Sequence, residues 1–403
     1  MKKILLIDIN CKFSSTGKIV YDLYSQIRKG GNDAMVCYGR GEEVNEPNIH
    51  KIGIDLETYA HVALTRFTGF NGVFSPFSTQ RLIKKIKEYQ PDIVHIHELH
   101  GYFVNYAPVI KYLKENNIKT IWTFHCEYMY TGKCGQAFDC DKFKTECKEC
   151  PYLKEYPKVL FFDWTKQMHR RKKELFDNFD NLTITTPSKW LYGRLKESFL
   201  KQKRSLVINN GIDNSNIFYP RDTISLKKKH NITKQKIVLA VAPKLMSSQK
   251  GGDYVVEVAK RLDSKNTLFI LIGVDDLDID FGNNVIALGR TKDQHELATY
   301  YSLADLFIIC SSYENFPTTA LEALSCGTNV IGFDSGGTKE TAPSDYGYFV
   351  NYGDIEGIAK AIEDIFNNKI KLKNSQECRD FAVKNYSKEA MIKKYTKLYM
   401  EPR

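Results

Sequence analysis

Short apolar segments alternate with longer amphipathic segments along almost the whole chain, and this alternation restricts the fold more than any other feature. Ile4–Ile9 and Thr120–Phe124 have the pattern of buried strands, whereas Gly17–Lys29 has that of an amphipathic helix. Strands joined in this way by helices form parallel sheets that are covered on both faces. The first run of alternation ends in a predicted strand, Val207–Asp213, and a second run starts at Ile237–Ala242. The sequence therefore predicts an α/β protein with two doubly wound domains of similar size.

The length of 403 residues also favours two domains, because it exceeds what one ordinary hydrophobic core supports. We expect an N-terminal domain over residues 1–205, with an irregular cysteine-rich insert at 126–157, and a C-terminal domain over 206–380. The polar stretch Tyr219–Lys236 is predicted to link the two runs of alternation. Residues 381–403 are predicted to form a helix that packs back on the N-terminal domain.

The chain carries a net charge of +10 at pH 7, from 58 lysines and arginines against 48 acidic residues. This balance favours an anionic partner. Basic clusters at 84–87, 169–173, 201–204 and 227–230 fit either solvated surface or a face that meets anionic lipid headgroups or a lipid-linked diphosphate. No nucleic-acid-binding motif accompanies the charge, and we therefore expect no nucleic-acid partner.

Ten cysteines occur without a secretion signal, which indicates a reducing compartment. The segment Ile4–Ile9 is interrupted by Asp8 and is not followed by a cleavage site, so it resembles a strand more than a signal peptide. No apolar run is long enough to span a membrane. We expect a cytoplasmic protein that is peripheral to the inner face of the cytoplasmic membrane.

Two glutamates, Glu314 and Glu322, lie eight positions apart where a predicted strand, Asp305–Cys310, gives way to a helix. This order places both carboxylates at the carboxyl edge of the sheet, where ligands bind in open α/β folds. The backbone N–H groups of Thr318 and Thr319 at the helix start can receive an anion. The arrangement suits a sugar nucleotide, with acids for hydroxyls and N–H groups for phosphates. The alternative is that Glu314 only caps the helix electrostatically and Glu322 is a solvated surface residue.

Lys250 precedes two glycines, Gly251 and Gly252, at the start of a predicted helix that follows the strand Ile237–Ala242. A cation next to accessible N–H groups favours a phosphate site, although a surface turn has the same composition. In the first half of the chain a single glycine, Gly17, opens the corresponding helix. The three-glycine dinucleotide fingerprint is missing there, which argues against a nicotinamide or flavin cofactor.

Four histidines lie at or beyond the ends of predicted strands: His95, His97 and His100 with one strand, and His125 with the next. His95 and His97 fall on one face of the strand Asp92–His97 and suit either a metal pair or hydrogen-bonded cleft residues. His125 closes the strand Thr120–Phe124 at its carboxyl end. That position suits contact with a reacting sugar.

The insert contains four cysteines, Cys134, Cys140, Cys147 and Cys150. The last two form a CxxC pair of the kind that wraps zinc, and a thiolate-bound zinc would hold a segment that has little core of its own. Free thiols are the alternative. Because a four-thiolate site has no open coordination position, any zinc here would be structural and not catalytic.

Taken in order, these motifs resemble those of glycosyltransferase family 4, whose GT-B fold has two facing Rossmann-like domains and holds the nucleotide sugar mainly in the second. The resemblance rests on Lys250-Gly251, the Glu314–Glu322 spacing, Asn210–Asp213 and Thr186–Trp190. The N-terminal half is similar to a subgroup from colanic-acid and capsule biosynthesis. This second similarity rests on segments 15–18, 97–102, 131–134 and 147–151.

The resemblance implies a retaining transfer, without a cofactor or catalytic metal, from a UDP- or GDP-linked sugar to a lipid-linked (polyprenyl diphosphate) saccharide in the synthesis of a bacterial capsule, exopolysaccharide or O-antigen. His125, Glu314 and Lys250 would be catalytic: Glu314 would contact sugar hydroxyls and Lys250 the diphosphate. His97 and Glu127 would lie on the acceptor side. The implied donor-binding set is Gly17, Asn210, Lys244, Lys250, Arg290, Glu314, Asn315, Phe316, Pro317, Thr318, Thr319 and Glu322.

Two departures from the family pattern bear on this interpretation. Lys244 stands, with one extra residue of spacing, where the family has an arginine, and lysine cannot form a bidentate fork. Cys126-Glu127-Tyr128 replaces the Asp-Cys-Trp of the subgroup, so Glu127 is expected to take the place of the aspartate. Two other functions stay open: a nucleotide-sugar epimerase on the same fold, and a zinc-stabilised binding protein with a degenerate site.

Overall fold

The computed structural model describes residues 1–233, 235–291 and 293–402. The chain divides into two compact units. Unit 1 contains Met1–Ile208 and the C-terminal segment that begins at Ile392, and unit 2 contains Asn209–Met391. None of the helices among the described residues is both long enough and apolar enough to cross a lipid bilayer.

A seven-stranded parallel sheet forms the centre of unit 1. Its strands are β1 (Lys3–Asp8), β2 (Asp33–Tyr38), β3 (Ile49–Lys51), β4 (Ile93–Ile96), β5 (Lys119–Thr123), β6 (Leu182–Thr186) and β7 (Ser205–Val207). Their order across the sheet is β3-β2-β1-β4-β5-β6-β7. The helices are α1 (Ser15–Lys29), α2 (Asp55–Thr68), α3 (Pro76–Tyr89), α4 (Tyr106–Glu115), α5 (Thr165–Phe176) and α6 (Lys189–Glu197), and the insert contains a short 3-10 helix, Lys142–Lys144.

The central strands of unit 1 bring titratable side chains to one edge. β1, β4 and β5 are adjacent and parallel, and nearly all their residues are buried because helices cover both faces of the sheet. Asp8 ends β1, His97 follows β4 and His125 lies just beyond β5. The carboxyl edge of this sheet therefore gathers side chains from three neighbouring strands.

A six-stranded parallel sheet forms the centre of unit 2. Its strands are β8 (Lys236–Val241), β9 (Thr267–Ile272), β10 (Val285–Leu288), β11 (Leu306–Ile309), β12 (Asn329–Asp334) and β13 (Gly347–Asn351), in the order β10-β9-β8-β11-β12-β13. The helices are α7 (Ile224–Lys229), α8 (Gly252–Arg261), α9 (Gln294–Leu303), α10 (Thr318–Ser325), α11 (Thr338–Thr341), α12 (Ile355–Phe366) and α13 (Ser375–Tyr386). The last helix, α14 (Lys388–Met400), begins in unit 2 and ends in unit 1.

Successive residues of the central unit 2 strands enter opposite hydrophobic cores. Val238 and Ile308 lie in one core, and Leu239 and Phe307 lie in the other. Burial on both faces explains why β8 and β11 are nearly continuous apolar runs. The predicted pair of doubly wound α/β domains is confirmed, and the adjacency of β8 and β11 places the loops after them side by side.

The limits of the two units differ from the expected limits at 205 and 380. The chain leaves unit 1 after Ile208 and returns to it at Ile392, inside α14. Residue 380 lies within α13, whose Cys378, Ala382 and Tyr386 are buried in the core of unit 2. This burial keeps α13 in unit 2, and only the part of α14 from Ile392 onward belongs to unit 1.

Two predictions for the segment where the chain passes from unit 1 to unit 2 are wrong. Tyr219–Lys236 is not a linker, because it contains α7 and its Leu226 and Ile232 are buried in the unit 2 core. β7 ends at Val207 and does not continue to Asp213. Beyond it, the Ile212 N–H donates to the Tyr386 carbonyl oxygen at 3.0 Å, which ties this segment to the end of α13.

Candidate active site

Lys250 and Glu314 meet at the carboxyl edge of the unit 2 sheet. The Lys250 Nζ lies 2.6 Å from the Glu314 Oε1, and both side chains are partly buried. Lys250 belongs to the loop after β8, and Glu314 belongs to the loop after the adjacent strand β11. The structure thus brings these two predicted residues into direct contact.

Gly251 fixes the position of Lys250. Its backbone is left-handed, with φ of 69°, and it caps the N-terminus of α8. A Cβ at Gly251 would overlap the carbonyl oxygen of Cys310, so both the conformation and the close approach require glycine. The Ser312 N–H also donates to the Gln249 carbonyl oxygen at 3.0 Å. The loop after β8 therefore packs directly on the end of β11.

The loop after β12 holds Glu314 from the other side. The Gly337 N–H donates to the Glu314 carbonyl oxygen at 2.7 Å, and the Ser335 hydroxyl donates to the Ser312 carbonyl oxygen. Gly336, between them, has φ of 62°, a conformation that glycine adopts readily. The backbone of Glu314 is therefore clamped while its carboxylate contacts Lys250.

The N-terminus of α10 faces the same place. The helix begins at Thr318, after Pro317, whose side chain makes no capping hydrogen bond. Thr319 lines the same small cavity as Lys250 and Glu314. The first N–H groups of a helix lack partners within the helix and carry a partial positive charge. An anion in this cavity would therefore meet a lysine and a helix N-terminus together.

Glu322 lies about one turn into α10 and has different surroundings from Glu314. The buried Tyr301 hydroxyl donates to the Glu322 Oε2 at 2.9 Å. Burial and then the charge of Glu322 raise the pKa of Tyr301, so this hydroxyl stays protonated as a donor. The two glutamates of the signature are thus distinct: a cation holds Glu314, and a neutral donor holds Glu322.

The other predicted donor-binding residues of unit 2 differ in exposure. Lys244 and Arg290 are exposed in loops that follow β8 and β10, at the same edge of the sheet, and Asn315 is partly buried beside Glu314. Asn210 is buried at the start of the unit, where the adjacent Gly211 packs against Ser387.

Phe316 and Pro317 are buried, which limits what they can contact. The Phe316 ring packs edge-on against Tyr386, with 5.7 Å between the ring centroids. The Phe316 side chain therefore belongs to the hydrophobic core and shapes the turn before α10. Any donor contact by these two residues would have to come from the backbone.

The carboxyl edge of the unit 1 sheet carries a row of imidazoles. The His97 Nδ1 and the His125 Nε2 are 3.0 Å apart, and the ring centroids of His95 and His97 are 4.2 Å apart. Burial lowers the pKa of His125 to about 4 and lowers the pKa of His97 as well. Both imidazoles are therefore neutral at pH 7, so one nitrogen of the pair donates and the other accepts.

His95 does not offer a free nitrogen for a metal. One ring nitrogen lies 2.7 Å from the Tyr399 hydroxyl and the other lies 2.8 Å from the Thr123 hydroxyl. In the described part of the chain, no three histidine, cysteine, aspartate or glutamate side chains are grouped to hold a metal ion. Of the two interpretations of His95 and His97, the structure favours hydrogen-bonded residues.

Sequence reasoning missed a second cluster of titratable side chains at this edge, which consists of Asp8, Glu98, His100 and Cys126. The His100 Nε2 lies 3.8 Å from the Cys126 Sγ and 4.0 Å from the Glu98 Oε1. Burial opposes a charge on His100, but Cys126 and Glu98 together raise its pKa to about 9. Burial and then Glu98 raise the pKa of Asp8. A signal was present, because Asp8 is the one charged residue within the apolar segment Ile4–Ile9.

Gly17 lies in the first turn of α1, where it is buried. Its N–H donates to the Ser14 hydroxyl at 3.2 Å, and a Cβ on Gly17 would lie 3.2 Å from Asn10. The glycine therefore allows the first loop to pack on the helix. A contact between Gly17 and phosphates stays a prediction.

Glu127 differs from the expectation of an acceptor-side residue. It is buried, and its carboxylate accepts hydrogen bonds from the Arg194 side chain, the Tyr130 hydroxyl and the Ala137 N–H. Arg194 belongs to α6, so Glu127 holds the insert to that helix. The structure does not support Glu127 as a substitute for the aspartate of the subgroup, because the carboxylate is committed to these three donors.

Cys134, Cys140, Cys147 and Cys150 line one cavity within the insert. The Cys134 and Cys150 Sγ atoms are 3.9 Å apart. That distance is close to the edge of roughly 3.8 Å in a tetrahedron with Zn–S bonds of about 2.3 Å. The Gly132 N–H donates to the Cys147 Sγ at 3.2 Å. The residues fit zinc in type and location, although the described thiols do not yet converge on one point and a bound ion would have to draw them together.

The buried imidazoles predict that acid destabilises the protein. Burial lowers the pKa of His95 to about 3, whereas an unfolded histidine has a pKa of about 6.5. Between these values the unfolded chain binds the proton and the folded chain does not, so stability is lost as the pH falls. We expect His95 alone to lower the free energy of unfolding by about 2 kcal/mol between pH 7 and pH 5. Urea unfolding at both pH values measures this, and a His95→Gln variant with an unchanged pH slope would contradict it.

Two family models match the chain. Residues 222–385 match "Glycosyl transferases group 1", and residues 16–216 match "Glycosyltransferase Family 4". The matched residues include Lys250 and Glu314 in the first case and His97 and His125 in the second.

Individual proteins that resemble this chain have low sequence identity to it. The putative colanic acid biosynthesis glycosyl transferase WcaC of Escherichia coli (strain K12) is 23% identical over 416 residues, which covers 98% of this chain and 99% of the relative. An N,N'-diacetylbacillosaminyl-diphospho-undecaprenol alpha-1,3-N-acetylgalactosaminyltransferase of Campylobacter jejuni is 28% identical over 214 residues, or 50% of this chain and 55% of the relative. The crystal structure of Anabaena Alr3699/HepE in complex with UDP-glucose has a TM-score of 0.67 at 13% identity and covers 99% of both chains. With its two parallel-sheet units and both family matches, this chain belongs to glycosyltransferase family 4 and is a glycosyltransferase with the GT-B fold.

Proposed function

We propose that this glycosyltransferase moves a sugar from a nucleoside diphosphate sugar to a hydroxyl of a lipid-linked saccharide, with retention at the anomeric carbon, in the synthesis of a bacterial surface polysaccharide. The observation that carries the proposal is the contact of Lys250 with Glu314 beside the N-terminus of α10. A diphosphate needs cations and N–H donors, and a sugar needs carboxylates for its hydroxyls. This edge of the sheet supplies both within one small cavity.

The chemistry of the transfer explains why the cation matters. The bond between the anomeric carbon and the diphosphate oxygen breaks, and its electron pair goes to the diphosphate. Lys250 and the first N–H groups of α10 would stabilise this growing charge, because they are positioned before the reaction starts. The acceptor hydroxyl oxygen forms the new bond to the anomeric carbon, and its proton goes to the departing diphosphate oxygen, which gains basicity as its charge grows. Glu314, which neutralises Lys250 in this structure, would exchange that contact for sugar hydroxyls when a donor binds.

The acceptor is assigned from chemistry and from a relative. The Campylobacter relative is named for a sugar acceptor on undecaprenol diphosphate. The net charge of +10 suits an anionic lipid-linked diphosphate and an anionic membrane surface. His97 and His125 would contact hydroxyls as neutral groups, since burial keeps both uncharged at pH 7. We place the enzyme at the inner face of the cytoplasmic membrane on these grounds.

We also propose that the four cysteines of the insert bind one structural zinc ion. Purified enzyme is expected to contain about one zinc per chain, and Cys147→Ser is expected to lose it and to lower the melting temperature. Elemental analysis and thermal unfolding measure the two effects. Cys378→Ser is the matched control, because Cys378 is buried in unit 2 outside the insert. This variant is expected to contain as much zinc as the wild type. Full zinc content in a Cys147→Ser, Cys150→Ser double variant would refute the site.

The experiment that tests the function starts with ligands. A panel of UDP, GDP, ADP and their common sugar conjugates is screened for a rise in melting temperature, since a ligand that binds only the folded state stabilises it. The donor so identified is then incubated with a synthetic polyprenyl diphosphate saccharide, and products are analysed by mass spectrometry and by NMR of the new linkage. A lengthened lipid-linked saccharide with the donor's anomeric configuration supports the proposal. Conversion of the donor sugar without any acceptor would identify an epimerase, and binding without turnover would identify a degenerate site.

A further inference from the structure

Helix α2 buries its polar face and exposes its apolar face. Its buried face is formed by Thr58, His61 and Thr65. Its outer face carries Leu56, which is 79% exposed, and Tyr59, which is 72% exposed. A surface helix of a globular protein normally buries its apolar stripe and exposes its polar residues. The orientation of α2 therefore does not serve the hydrophobic core of unit 1.

Polar contacts hold α2 in this orientation. The Glu57 carboxylate accepts hydrogen bonds from the Phe77 N–H, the Ser78 N–H and the Ser78 hydroxyl at the start of α3. The His61 Nδ1 lies 2.9 Å from the Ser75 hydroxyl. In the described structure the Thr58 and Thr65 hydroxyls are buried without a hydrogen-bond partner. Leaving buried polar groups unpaired is unfavourable, so the exposed apolar face is kept at a cost in stability.

The apolar surface continues beyond α2. The Phe67 ring, at the end of the helix, stacks on Phe161 with 6.0 Å between centroids. The Leu160 N–H donates to the Arg66 carbonyl oxygen at 2.9 Å, which fixes the loop on the helix. Phe162 follows, and Phe77 is exposed where α3 meets Glu57. We call this surface the apolar patch, and it consists of Leu56, Tyr59, Phe67, Phe77, Phe161 and Phe162.

Cations adjoin the apolar patch, and its nearest carboxylates already have partners. Asp55 pairs with Lys51 at 3.1 Å, Glu57 accepts hydrogen bonds from the start of α3, and Asp163 accepts from the Cys150 and Thr165 N–H groups. Arg66 lies within the patch and is exposed, and Lys158 is exposed two residues before Leu160. The helix α5 starts three residues after Phe162 and exposes further basic side chains, namely Lys166, Arg170, Arg171 and Lys173.

We propose that the apolar patch is the surface by which the enzyme docks on a lipid bilayer that contains anionic phospholipids. Exposed aromatic and aliphatic side chains insert into the boundary between headgroups and acyl chains, and adjacent cations meet the headgroup charge. A second copy of the chain fits less well, because pairing this face with itself would bring the cations of the two copies together. The proposal rests on the proposed function in one respect: a lipid-linked acceptor gives the enzyme a reason to reach a membrane.

The test is sedimentation of the full-length enzyme with vesicles. We expect the wild type to bind vesicles of mixed phosphatidylcholine and phosphatidylglycerol and to bind pure phosphatidylcholine vesicles more weakly. A triple variant, Leu56→Ser, Phe67→Ser and Phe161→Ser, is expected to weaken binding to the mixed vesicles about tenfold or more. Arg66→Glu combined with Lys158→Glu is expected to remove most of the preference for phosphatidylglycerol. The matched control is Leu277→Ser with Ile279→Ser, which removes two exposed apolar side chains from unit 2 and should leave binding unchanged.

The proposal would be overturned if the wild type did not bind vesicles, or if the triple variant bound them as well as the wild type does. It would also be overturned if light scattering showed the wild type to be a dimer and the triple variant a monomer. The last result would show that this face covers a second copy. The melting-temperature rise with the nucleotide donor is measured on the same variants. It should equal that of the wild type, so a failure of docking is distinguished from a failure of the active site. If the wild type binds vesicles but no nucleotide or nucleotide sugar of the panel raises its melting temperature, docking is supported and the proposed transfer is refuted.

Discussion

Replacing Lys250 with methionine is expected to lower kcat/KM for the nucleotide sugar by about 100-fold or more, because a positioned cation at a developing diphosphate charge contributes on this scale. Methionine has a similar length without the charge. Glu314→Gln is expected to have a loss of the same order, since it removes the carboxylate proposed to hold sugar hydroxyls. Initial rates of nucleoside diphosphate release measure both effects. Folding should be little changed, because the pair is partly exposed and such ion pairs contribute at most about 1 kcal/mol.

A double variant separates catalysis from structure. If Lys250 and Glu314 only neutralise each other, the Lys250→Met, Glu314→Gln variant should recover most of the activity that either single change removes. If each contacts the donor, the double variant should be at least as impaired as the worse single variant, and this is the result that we expect. Lys260→Met is the matched control, because Lys260 forms a 2.7 Å ion pair with Glu257 on the exposed face of α8. Near-normal rates in both single variants would refute the site.

Gly251→Ala is expected to lower the free energy of unfolding by about 3 kcal/mol and to lower activity with it. The positive φ accounts for roughly 1–2 kcal/mol of this loss. The rest comes from the overlap between the new Cβ and the Cys310 carbonyl oxygen, which can be relieved only by moving the loop that carries Lys250. Urea unfolding and donor turnover measure the two losses.

Gly193→Ala is the control for this change. Gly193 lies within α6, and a Cβ there would meet no atom within 4 Å. Alanine should stabilise that helix by up to about 1 kcal/mol. The two glycine variants are therefore expected to shift stability in opposite directions. A Gly251→Ala enzyme as stable as the wild type would show that the loop can adjust without strain.

The sequence was sufficient to predict the meeting of Lys250 and Glu314, because each follows a strand with a clear apolar run and those two strands are neighbours in this fold class. It was not sufficient for β13, because the apolar run there, Tyr348–Val350, is only three residues long and lies between Gly347 and Asn351. The stretch around α7 misled for a related reason. A few apolar side chains in a polar segment can anchor it to a core without giving a recognisable period.

Side-chain partners were harder to predict than elements. The resemblance to the Asp-Cys-Trp motif of the subgroup suggested a substrate role for Glu127, but the insert folds back so that Arg194 and the Ala137 N–H reach its carboxylate. The pairing of His97 with His125 depends on which residues of β4 and β5 are in register, which no local pattern specifies. For α2, helical periodicity identifies the apolar stripe but not whether it faces the core or the outside.

The return of α14 to unit 1 has a consequence for how the protein is made. The Tyr399 hydroxyl lies 2.7 Å from His95, and the Tyr395 hydroxyl lies 2.9 Å from the Thr123 hydroxyl. These tyrosines are synthesised after the whole of unit 2, whereas β4 and β5, which carry their partners, are synthesised before it. Unit 1 therefore cannot complete its folding, and His95 lacks its Tyr399 partner, until unit 2 has been translated. We expect a chain that stops before Tyr395 to have a complete unit 2 and an incomplete unit 1, and therefore to be cleaved more readily by proteases in unit 1.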